Sequence, residues 1–184
     1  MKNMRLLLFF SLALVQIGVA GSMIVRREVT LRSGRQFRLR ILPVNLHDAF
    51  RGSHLQIRME GDTMPFVPGG ELEPGQTIYA LISEDSEGFA HLRGVSGKRP
   101  TGDSYFEAEV VRTARDQVRL ELPFDRYYVG EEFRVPDETA GRKEAEKQVQ
   151  NAYVMIRVRS GFAVLEELYL EGKPALEYLR GLQH

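Results

Sequence analysis

The chain has 184 residues, a length that predicts one domain, and its 25 basic and 25 acidic side chains cancel at neutral pH. This balance excludes the strong positive field that is typical of nucleic-acid-binding proteins. The chain contains no cysteine, which excludes both a disulfide framework and thiolate chemistry.

The N-terminal segment Leu6–Val25 is a run of 20 residues without a charged side chain. As a helix it spans about 30 Å, the thickness of the hydrocarbon core of a bilayer. Two interpretations compete, a signal peptide cleaved after Ala20 and an uncleaved single-pass anchor. Because apolar character continues through Met23–Val25, past the possible cleavage site, we expect an anchor over residues 1–25 and one β-rich domain over residues 26–184.

Charged residues flank this segment on both sides and bear on its orientation. Arg26 and Arg27 follow it, and charge counting alone would place them inside the cell. That rule weakens when a long domain follows the helix, and a basic start before an apolar run is the usual export signal. We therefore expect an N-terminus inside the cell and a periplasmic, extracytoplasmic domain.

The rest of the chain alternates apolar and polar residues with a period of two, which predicts a mainly β fold, barrel-like or sandwich-like. One soluble helix is predicted over Asp137–Gln150, because Pro136 and Asp137 suit a helix start. A second short helix is predicted over Ala175–Leu182, and the Gly- and Pro-rich segment Gly61–Gly75 is predicted as a loop. The predicted strands are Arg26–Leu31, Arg35–Leu42, Leu55–Met59, Thr77–Ser83, Phe89–Val95, Phe106–Val110, Val118–Leu122, Val154–Val158 and Phe162–Leu170.

Two turns are predicted from dipeptides that suit tight hairpins. Ser33-Gly34 would join the strands Arg26–Leu31 and Arg35–Leu42, and Ser160-Gly161 would join the last long hairpin. Each dipeptide lies between two runs with a period of two.

A connector between the predicted strands Phe37–Ile41 and Leu55–Met59 carries a recognisable set of turn residues. Pro43 ends the first strand because it lacks an N–H for the ladder. Asp48 can cap a short helical turn, and Gly52 allows the positive φ needed to leave it. These residues predict an architectural role rather than a catalytic one.

This connector resembles the signature of the GDYXXLXY family of bacterial membrane-anchored proteins, with matches at Pro43, Val44, Asp48, Arg51 and Gly52. The naming motif itself differs, since this chain has other residues in place of the family's Asp, Tyr, Leu and Tyr. Those replacements are Ser53, His54, Ile57 and Met59. Other blocks that resemble the family in order and spacing are Gly97–Pro100, Asp125–Val129 and Leu168–Pro174.

The resemblance implies a membrane-anchored protein without an established biochemical activity and without a cofactor. In that family the gene commonly neighbours one for a polytopic membrane protein, which implies such a protein as the partner. We therefore expect a non-catalytic domain that acts by protein association. The alternative is a hydrolase or metal-dependent enzyme that uses His47, Asp48 and His54, or Thr63 with Lys98 as the base.

Two sets of residues are candidates for the association. Arg99, Arg126 and Tyr128 combine charge with an aromatic ring, as interaction surfaces often do, although a turn and an edge strand with ordinary surface side chains explain them better. Within the apolar run, Gly18 and Ser22 have the spacing of small residues at helix interfaces in membranes. Gln16 carries an amide that seeks a hydrogen-bond partner in hydrocarbon.

We predict that Asp48 and Gly52 contribute to stability rather than to catalysis. Asp48→Ala should lower the free energy of unfolding by about 1 kcal/mol through the lost cap. Gly52→Val should lower it more, because a β-branched side chain does not tolerate a positive φ. Thermal unfolding of both variants checks this, and melting temperatures equal to the wild type would contradict it.

Overall fold

The structure is a computed structural model that describes residues 2–45, 54–59, 63–65, 72–102, 104–114, 117–128 and 148–181. Its fold is mainly β and is preceded by a long apolar helix, as predicted from the sequence. The strands are β1 (Arg35–Arg40), β2 (Val44–Asn45), β3 (His54–Gln56), β4 (Thr63–Pro65), β5 (Thr77–Glu84), β6 (Ala90–Ser96), β7 (Ser104–Ala114), β8 (Gln117–Glu121), β9 (Arg126–Tyr128), β10 (Gln148–Val149), β11 (Ala152–Arg159), β12 (Phe162–Leu170) and β13 (Lys173–Pro174). The helices are α1 (Lys2–Ser33) and α2 (Ala175–Gly181).

Helix α1 continues through the segment that was predicted as the first strand, so the predicted strand Arg26–Leu31 and its hairpin at Ser33-Gly34 are wrong. The alternation there is short, and the same residues also make helical contacts four positions apart. The Thr30 hydroxyl donates to the Arg26 carbonyl at 2.9 Å, and the Gly34 N–H donates to the Thr30 carbonyl at 2.8 Å. These bonds extend the helix from the apolar run into the domain without a break.

The end of α1 packs tightly against the hairpin formed by β11 and β12. Thr30 is only 2% exposed. A Cβ on Gly34 would lie 2.5 Å from the Thr30 carbonyl oxygen and 3.2 Å from the backbone N and O of Val158. The Arg26 guanidinium lies 4.3 Å from the centre of the Phe162 ring. The helix is therefore fixed to the sheet at its last two turns.

Nine strands form one sheet in the order β13-β12-β11-β1-β6-β5-β7-β8-β4. The pairs are antiparallel except for β1 and β6, which run parallel. The sheet curls until the tip of the β11–β12 hairpin meets β7, where the Glu107 N–H donates to the Gly161 carbonyl at 2.8 Å. This closure makes the domain barrel-like on one side. Two further pairs, β10 with β2 and β3 with β9, form small separate sheets.

The apolar residues that alternate with polar ones in the sequence are the buried ones in the structure, as predicted. Strand β5 lies inside the sheet between β6 and β7, and every second residue of β11 is buried. The Ser160-Gly161 hairpin is confirmed, with φ angles of 51° and 84° that match a type I′ turn. The buried side chains that fill the inside of the curl include Phe37, Leu39, Ile78, Phe106, Val110, Val118, Val154, Ile156 and Leu168.

Three predicted elements need comment. The short C-terminal helix is confirmed as α2. Within the predicted loop Gly61–Gly75, residues Thr63–Pro65 instead form β4 at the edge of the sheet, a position that accommodates a proline. Residues 137–147 of the predicted soluble helix lie outside the described residues. Its predicted end is wrong, because Gln148–Val149 pairs with β2 as a strand and buries Val149.

We predict that Gly34→Ala destabilises the domain, because its methyl group would overlap the Thr30 carbonyl oxygen and crowd the backbone of Val158. The expected loss in the free energy of unfolding is about 1–3 kcal/mol, the usual result of overpacking. Thermal unfolding of the full chain in detergent measures it. Gly97→Ala is the matched control, because no atom lies within 4 Å of its added Cβ, and equal effects of the two changes would contradict the prediction.

Candidate functional site

The predicted connector residues are only partly within the described residues. Pro43 lies past the end of β1 and is exposed, as a strand-ending proline should be. His47, Asp48, Arg51 and Gly52 lie outside the described residues, so their predicted capping and turn roles stay predictions.

The residues after the connector return to the core. The β3 strand pairs with β9 in antiparallel register, His54 opposite Tyr128 and Gln56 opposite Arg126. The next residue, Ile57, is 5% exposed and its N–H donates to the Asp125 carbonyl at 2.7 Å. Met59 is 2% exposed and bridges to Ile41. This segment therefore connects strand β9, with which it pairs, to Ile41 at the end of β1.

The residues proposed for an enzyme fall on several separate elements. His54 starts β3, Thr63 starts the edge strand β4, and Lys98 lies in the turn after β6. Among the residues that the structure describes, no group of three or more His, Cys, Asp or Glu side chains is arranged to hold a metal ion. The enzyme alternative therefore stays a prediction, because His47 and Asp48 lie outside the described residues.

Arg99 takes a structural position rather than joining the other two candidates. Its Nε donates to the Tyr105 hydroxyl at 2.6 Å, and its Nη2 lies 3.4 Å from the Ser160 carbonyl oxygen. The Tyr105 ring also meets the Tyr79 ring edge to face, with centres 5.5 Å apart. Arg99 thus ties the turn after β6 to the tip of the β11–β12 hairpin.

Arg126 and Tyr128 line a groove of about 870 Å³, which we call the acidic groove. It lies between β12 on one side and β7, β8 and the segment from Leu122 to Tyr128 on the other. One end is closed by the bond between Glu107 and Gly161, and Tyr127 reaches across the other end to Glu167. Its lining residues are Arg27, Thr77, Glu107, Ala108, Glu109, Glu121, Leu122, Pro123, Phe124, Asp125, Arg126, Tyr127, Tyr128, Phe162, Ala163, Val164, Leu165 and Glu166.

The floor of the groove is apolar and its rim is charged. Ala108, Leu122, Phe124 and Ala163 are all below 8% exposed and belong to the core. Acidic side chains outnumber basic ones on the rim, with Glu107, Glu109, Glu121, Asp125 and Glu166 against Arg27 and Arg126. An apolar floor with a charged rim suits a bound polypeptide segment better than a small apolar ligand.

Two of the acidic side chains on the rim, Glu166 and Asp125, each form an ion pair with an arginine. Arg157 Nε donates to Glu166 Oε2 at 2.8 Å and its Nη2 donates to Oε1 at 3.1 Å, while the Gln36 amide also donates to Oε2 at 2.9 Å. These hydrogen bonds, above all the one from Arg157, hold the pKa of Glu166 below its usual value. Asp125 lies 3.6 Å from the Arg126 guanidinium.

The other three glutamates lie together without an ion pair of this kind, although the charge of Glu107 interacts with the Arg99 guanidinium. Glu109 on β7 stands directly opposite Glu121 on β8, and Glu107 follows on the same face of β7. No described cation forms an ion pair with any of them. Like charges directly opposite each other in a sheet are destabilising, and the next exposed pair of the same ladder, Arg112 opposite Arg119, places two positive charges beside these carboxylates.

The Tyr127 hydroxyl closes one end of the groove by donating to Glu167 Oε1 at 2.7 Å. Burial, followed by this hydrogen bond, raises the pKa of Tyr127 well above its usual value. Glu167 Oε1 also accepts from the Leu168 N–H at 3.0 Å. The tyrosine therefore stays neutral and holds the segment after β8 against β12.

A second surface has aromatic rings in a row across the outer face of the sheet. Arg40 lies 4.3 Å from the centre of the Phe89 ring, Phe89 meets Tyr153 edge to face at 5.6 Å, and Tyr153 stacks on Tyr169 at 4.8 Å. Burial raises the pKa of Tyr169. Because each ring is covered by its neighbour, this row stabilises the sheet rather than offering open faces to a ligand.

The candidate residues in α1 do not form one face. Gly18 and Ser22 are four residues apart and share a face, whereas Gln16 is two residues before Gly18, a rotation of about 200° around the helix. The Ser22 hydroxyl donates to the Val19 carbonyl at 2.7 Å, so Ser22 contributes small size rather than a free donor. A Cβ on Gly18 would meet no atom within 4 Å. The interaction role of all three residues stays a prediction.

Helix α1 is long and apolar enough to cross a membrane, and none of its apolar window is buried against the domain. A signal sequence near the N-terminus also meets these limits of length and composition, so this observation alone leaves both interpretations of the N-terminus open. A sequence model of the GDYXXLXY protein family matches residues 16–168, most of the chain.

The chain belongs to the GDYXXLXY family. Comparisons with curated proteins and with solved structures find no match. The structure explains two of the substitutions in the naming motif of this GDYXXLXY protein. Ile57 and Met59 stand for the family's Leu and second Tyr, and both are buried, so an apolar side chain is what these positions require.

The sequence blocks that resemble the family also come together in space. The naming motif includes strand β3, which pairs with β9. Strand β9 is formed by Arg126–Tyr128 of the second block. Tyr127 of that block bonds to Glu167, next to the block Leu168–Pro174. The shared blocks of the GDYXXLXY protein therefore build the groove end and its supports.

Sequence reasoning missed most of the groove. Glu107, Glu109 and Glu121 alternate with apolar residues in predicted strands, but no sequence pattern shows that two of them stand opposite each other. Arg27 was assigned only to the flank of the apolar run. The one available signal was the alternation of Glu107 and Glu109 with apolar residues, which fixes their common face.

We predict that Tyr127→Phe lowers the free energy of unfolding by about 1 kcal/mol at neutral pH, because Glu167 loses its hydrogen-bond donor. The folded-state pKa of Tyr127 is raised, so its contribution is complete below the unfolded pKa of about 10 and is lost as the pH rises above it. Urea unfolding of wild type and variant from pH 7 to 11 measures this.

The matched control for that measurement is Tyr178→Phe on α2, a partly buried tyrosine without a hydrogen bond from its hydroxyl in the described residues. A difference between wild type and Tyr127→Phe that stays constant up to pH 11 would contradict the assignment.

Proposed function

We propose that this GDYXXLXY protein is a single-pass, membrane-anchored and non-catalytic β-domain that acts by protein association, as an accessory to a polytopic membrane protein. The anchor is α1, with the N-terminus inside and the domain on the periplasmic side. The observation that carries the proposal is the continuous helix, whose apolar part is fully outside the domain and whose last turns are locked to it.

The locked junction argues against a leader that serves only for export. A signal peptide is removed, so its cleavage site has no reason to lead into a helix that continues into the fold. Here the helix runs past the possible cut after Ala20 as far as Ser33, and Thr30 is buried against the sheet. Retention of α1 therefore keeps the domain at a fixed position relative to the bilayer.

Association rather than catalysis is supported by the kind of site that the described residues offer. The acidic groove has an apolar floor and an open, charged rim, and its described lining residues include no nucleophile hydrogen-bonded to a base. A polytopic partner is the natural occupant of the bilayer beside α1. Gly18 and Ser22 give that helix a face on which another backbone can come close.

The experiment is co-purification from native membranes in mild detergent with variants of α1. Gly18→Leu should reduce recovery of the associated membrane protein, because the added side chain separates the two helices. Ala20→Leu is the matched control, since it adds the same kind of bulk on the opposite face of α1. Both variants should remain in the membrane fraction.

Crosslinking maps the same face independently. The chain has no cysteine, so single Cys residues at positions 18, 20 and 22 can be introduced one at a time. Crosslinks from positions 18 and 22 but not from position 20 are expected. Equal crosslinking from all three positions, or recovery of the partner unchanged by Gly18→Leu, would show that α1 is only a tether, and a mature chain that starts at Gly21 would overturn the anchor.

A further inference from the structure

The acidic groove opens where α1 leaves its apolar run. Arg27 lines the groove and is two residues after Val25, a rise of about 3 Å along the helix. Arg26 packs on the ring of Phe162, which lines the same groove. If α1 is the anchor, as the proposed function requires, the mouth of the groove lies at the membrane interface.

One wall of the groove is the edge of β12. Five consecutive residues, Phe162–Glu166, line this wall. Since side chains alternate between the two faces of a strand, the groove follows the edge of β12 and not one of its faces. Beyond the bridge at Gly161, no described strand pairs with this side of β12 before Tyr169. A strand edge of this kind is a template for the addition of another strand, and five residues give it a length of about 17 Å.

The opposite wall supplies the charge. Glu107, Glu109 and Glu121 face one side of the β7–β8 pair, and the Glu109–Glu121 pairing places two like charges directly opposite each other. A cation inserted between two such carboxylates lowers their mutual repulsion. The pairing of Glu109 with Glu121 therefore favours the binding of a basic side chain in the groove.

We propose that the acidic groove binds an extended, basic juxtamembrane segment of a partner membrane protein, which adds as a strand to the edge of β12. Its Lys and Arg side chains face the three glutamates, and its apolar side chains lie on the floor formed by Leu122 and Phe124. The position of the groove selects a segment that has just left the bilayer. This chain's own Arg26 and Arg27 show that basic residues occur at that level on the same side of the membrane.

The test uses the full chain reconstituted in nanodiscs of zwitterionic lipid, with a fluorescent heptapeptide of alternating Lys and Val as the probe. Fluorescence anisotropy measures its dissociation constant. A heptapeptide of alternating Glu and Val controls for charge, and a Lys-Val peptide with alternate amides N-methylated controls for strand pairing. We expect binding of the first peptide and a loss of at least about tenfold with either control, in line with the usual weight of charged and backbone contacts.

Variants locate the binding on the protein. The double change Glu109→Gln with Glu121→Gln should weaken the Lys-Val peptide at least about tenfold and flatten its salt dependence. Glu177→Gln, on α2 away from the groove, is the matched control and should change nothing. Because the double change relieves a like-charge pair, it should not lower the melting temperature, which separates lost binding from lost folding.

Three results would overturn the proposal: no binding of the Lys-Val peptide, equal binding of the Glu-Val peptide, or binding that the double change leaves intact. A dimer of the full chain that the double change dissociates would also overturn it, since the occupant would then be a second copy. All variants should still enter nanodiscs through α1, so failure of the peptide test leaves the proposed anchoring intact, and failure of reconstitution is recognised separately.

Discussion

The close approach of α1 to the backbone of β11 is the contact on which the arrangement of this protein depends. Glycine at position 34 lets the helix end against Val158 with no Cβ between them, and the buried Thr30 fills the turn before it. Without this contact the helix and the sheet would be joined by a free linker. Because α1 contacts β11 directly, the position and tilt of α1 also determine the position and direction of the acidic groove.

The groove itself results from incomplete closure of the sheet. The tip of the β11–β12 hairpin reaches β7 at Gly161, no described strand continues that pairing along β12, and Tyr127 crosses the gap farther on. A fully closed barrel would have no unpaired edge there. Among the described residues, the opening leaves an edge of β12 without a paired strand beside a pair of opposed glutamates, and both features suit a domain that receives a partner strand.

The alternation of apolar and polar residues was sufficient to predict most strands of the sheet. Together with a turn dipeptide, a period of two residues determines which side chains face the core. The hairpin at Ser160-Gly161 and the burial of Phe106 and Val118 follow from it directly. Periodicity failed at Arg26–Leu31, because only Glu28–Leu31 alternates there and such a short pattern fits a helix as well as a strand.

The groove could not be predicted in the same way, because it depends on contacts between residues far apart in the chain. Arg27 and Glu166 line one space although 139 positions separate them, and the Glu109–Glu121 pairing follows from the register of β7 with β8 across a bulge. Of the blocks that resemble the GDYXXLXY family, Asp125–Tyr128 lies beside the groove and Leu168–Pro174 follows its β12 wall, but none of these blocks includes the three glutamates.

We propose that α1 and the domain form one rigid unit that holds the groove at the membrane interface. A nitroxide on a single Cys at position 121, measured by relaxation from gadolinium chelates on the lipid headgroups of a nanodisc, tests it most directly. Since Arg27 lines the same groove about 3 Å past the end of the apolar run, the label should lie within roughly 20 Å of the headgroups. It should also lie closer to them than a label at position 177, because α2 follows the opposite end of β12. A label at position 121 that is as distant as the one at 177, or that shows a broad spread of distances, would contradict the account.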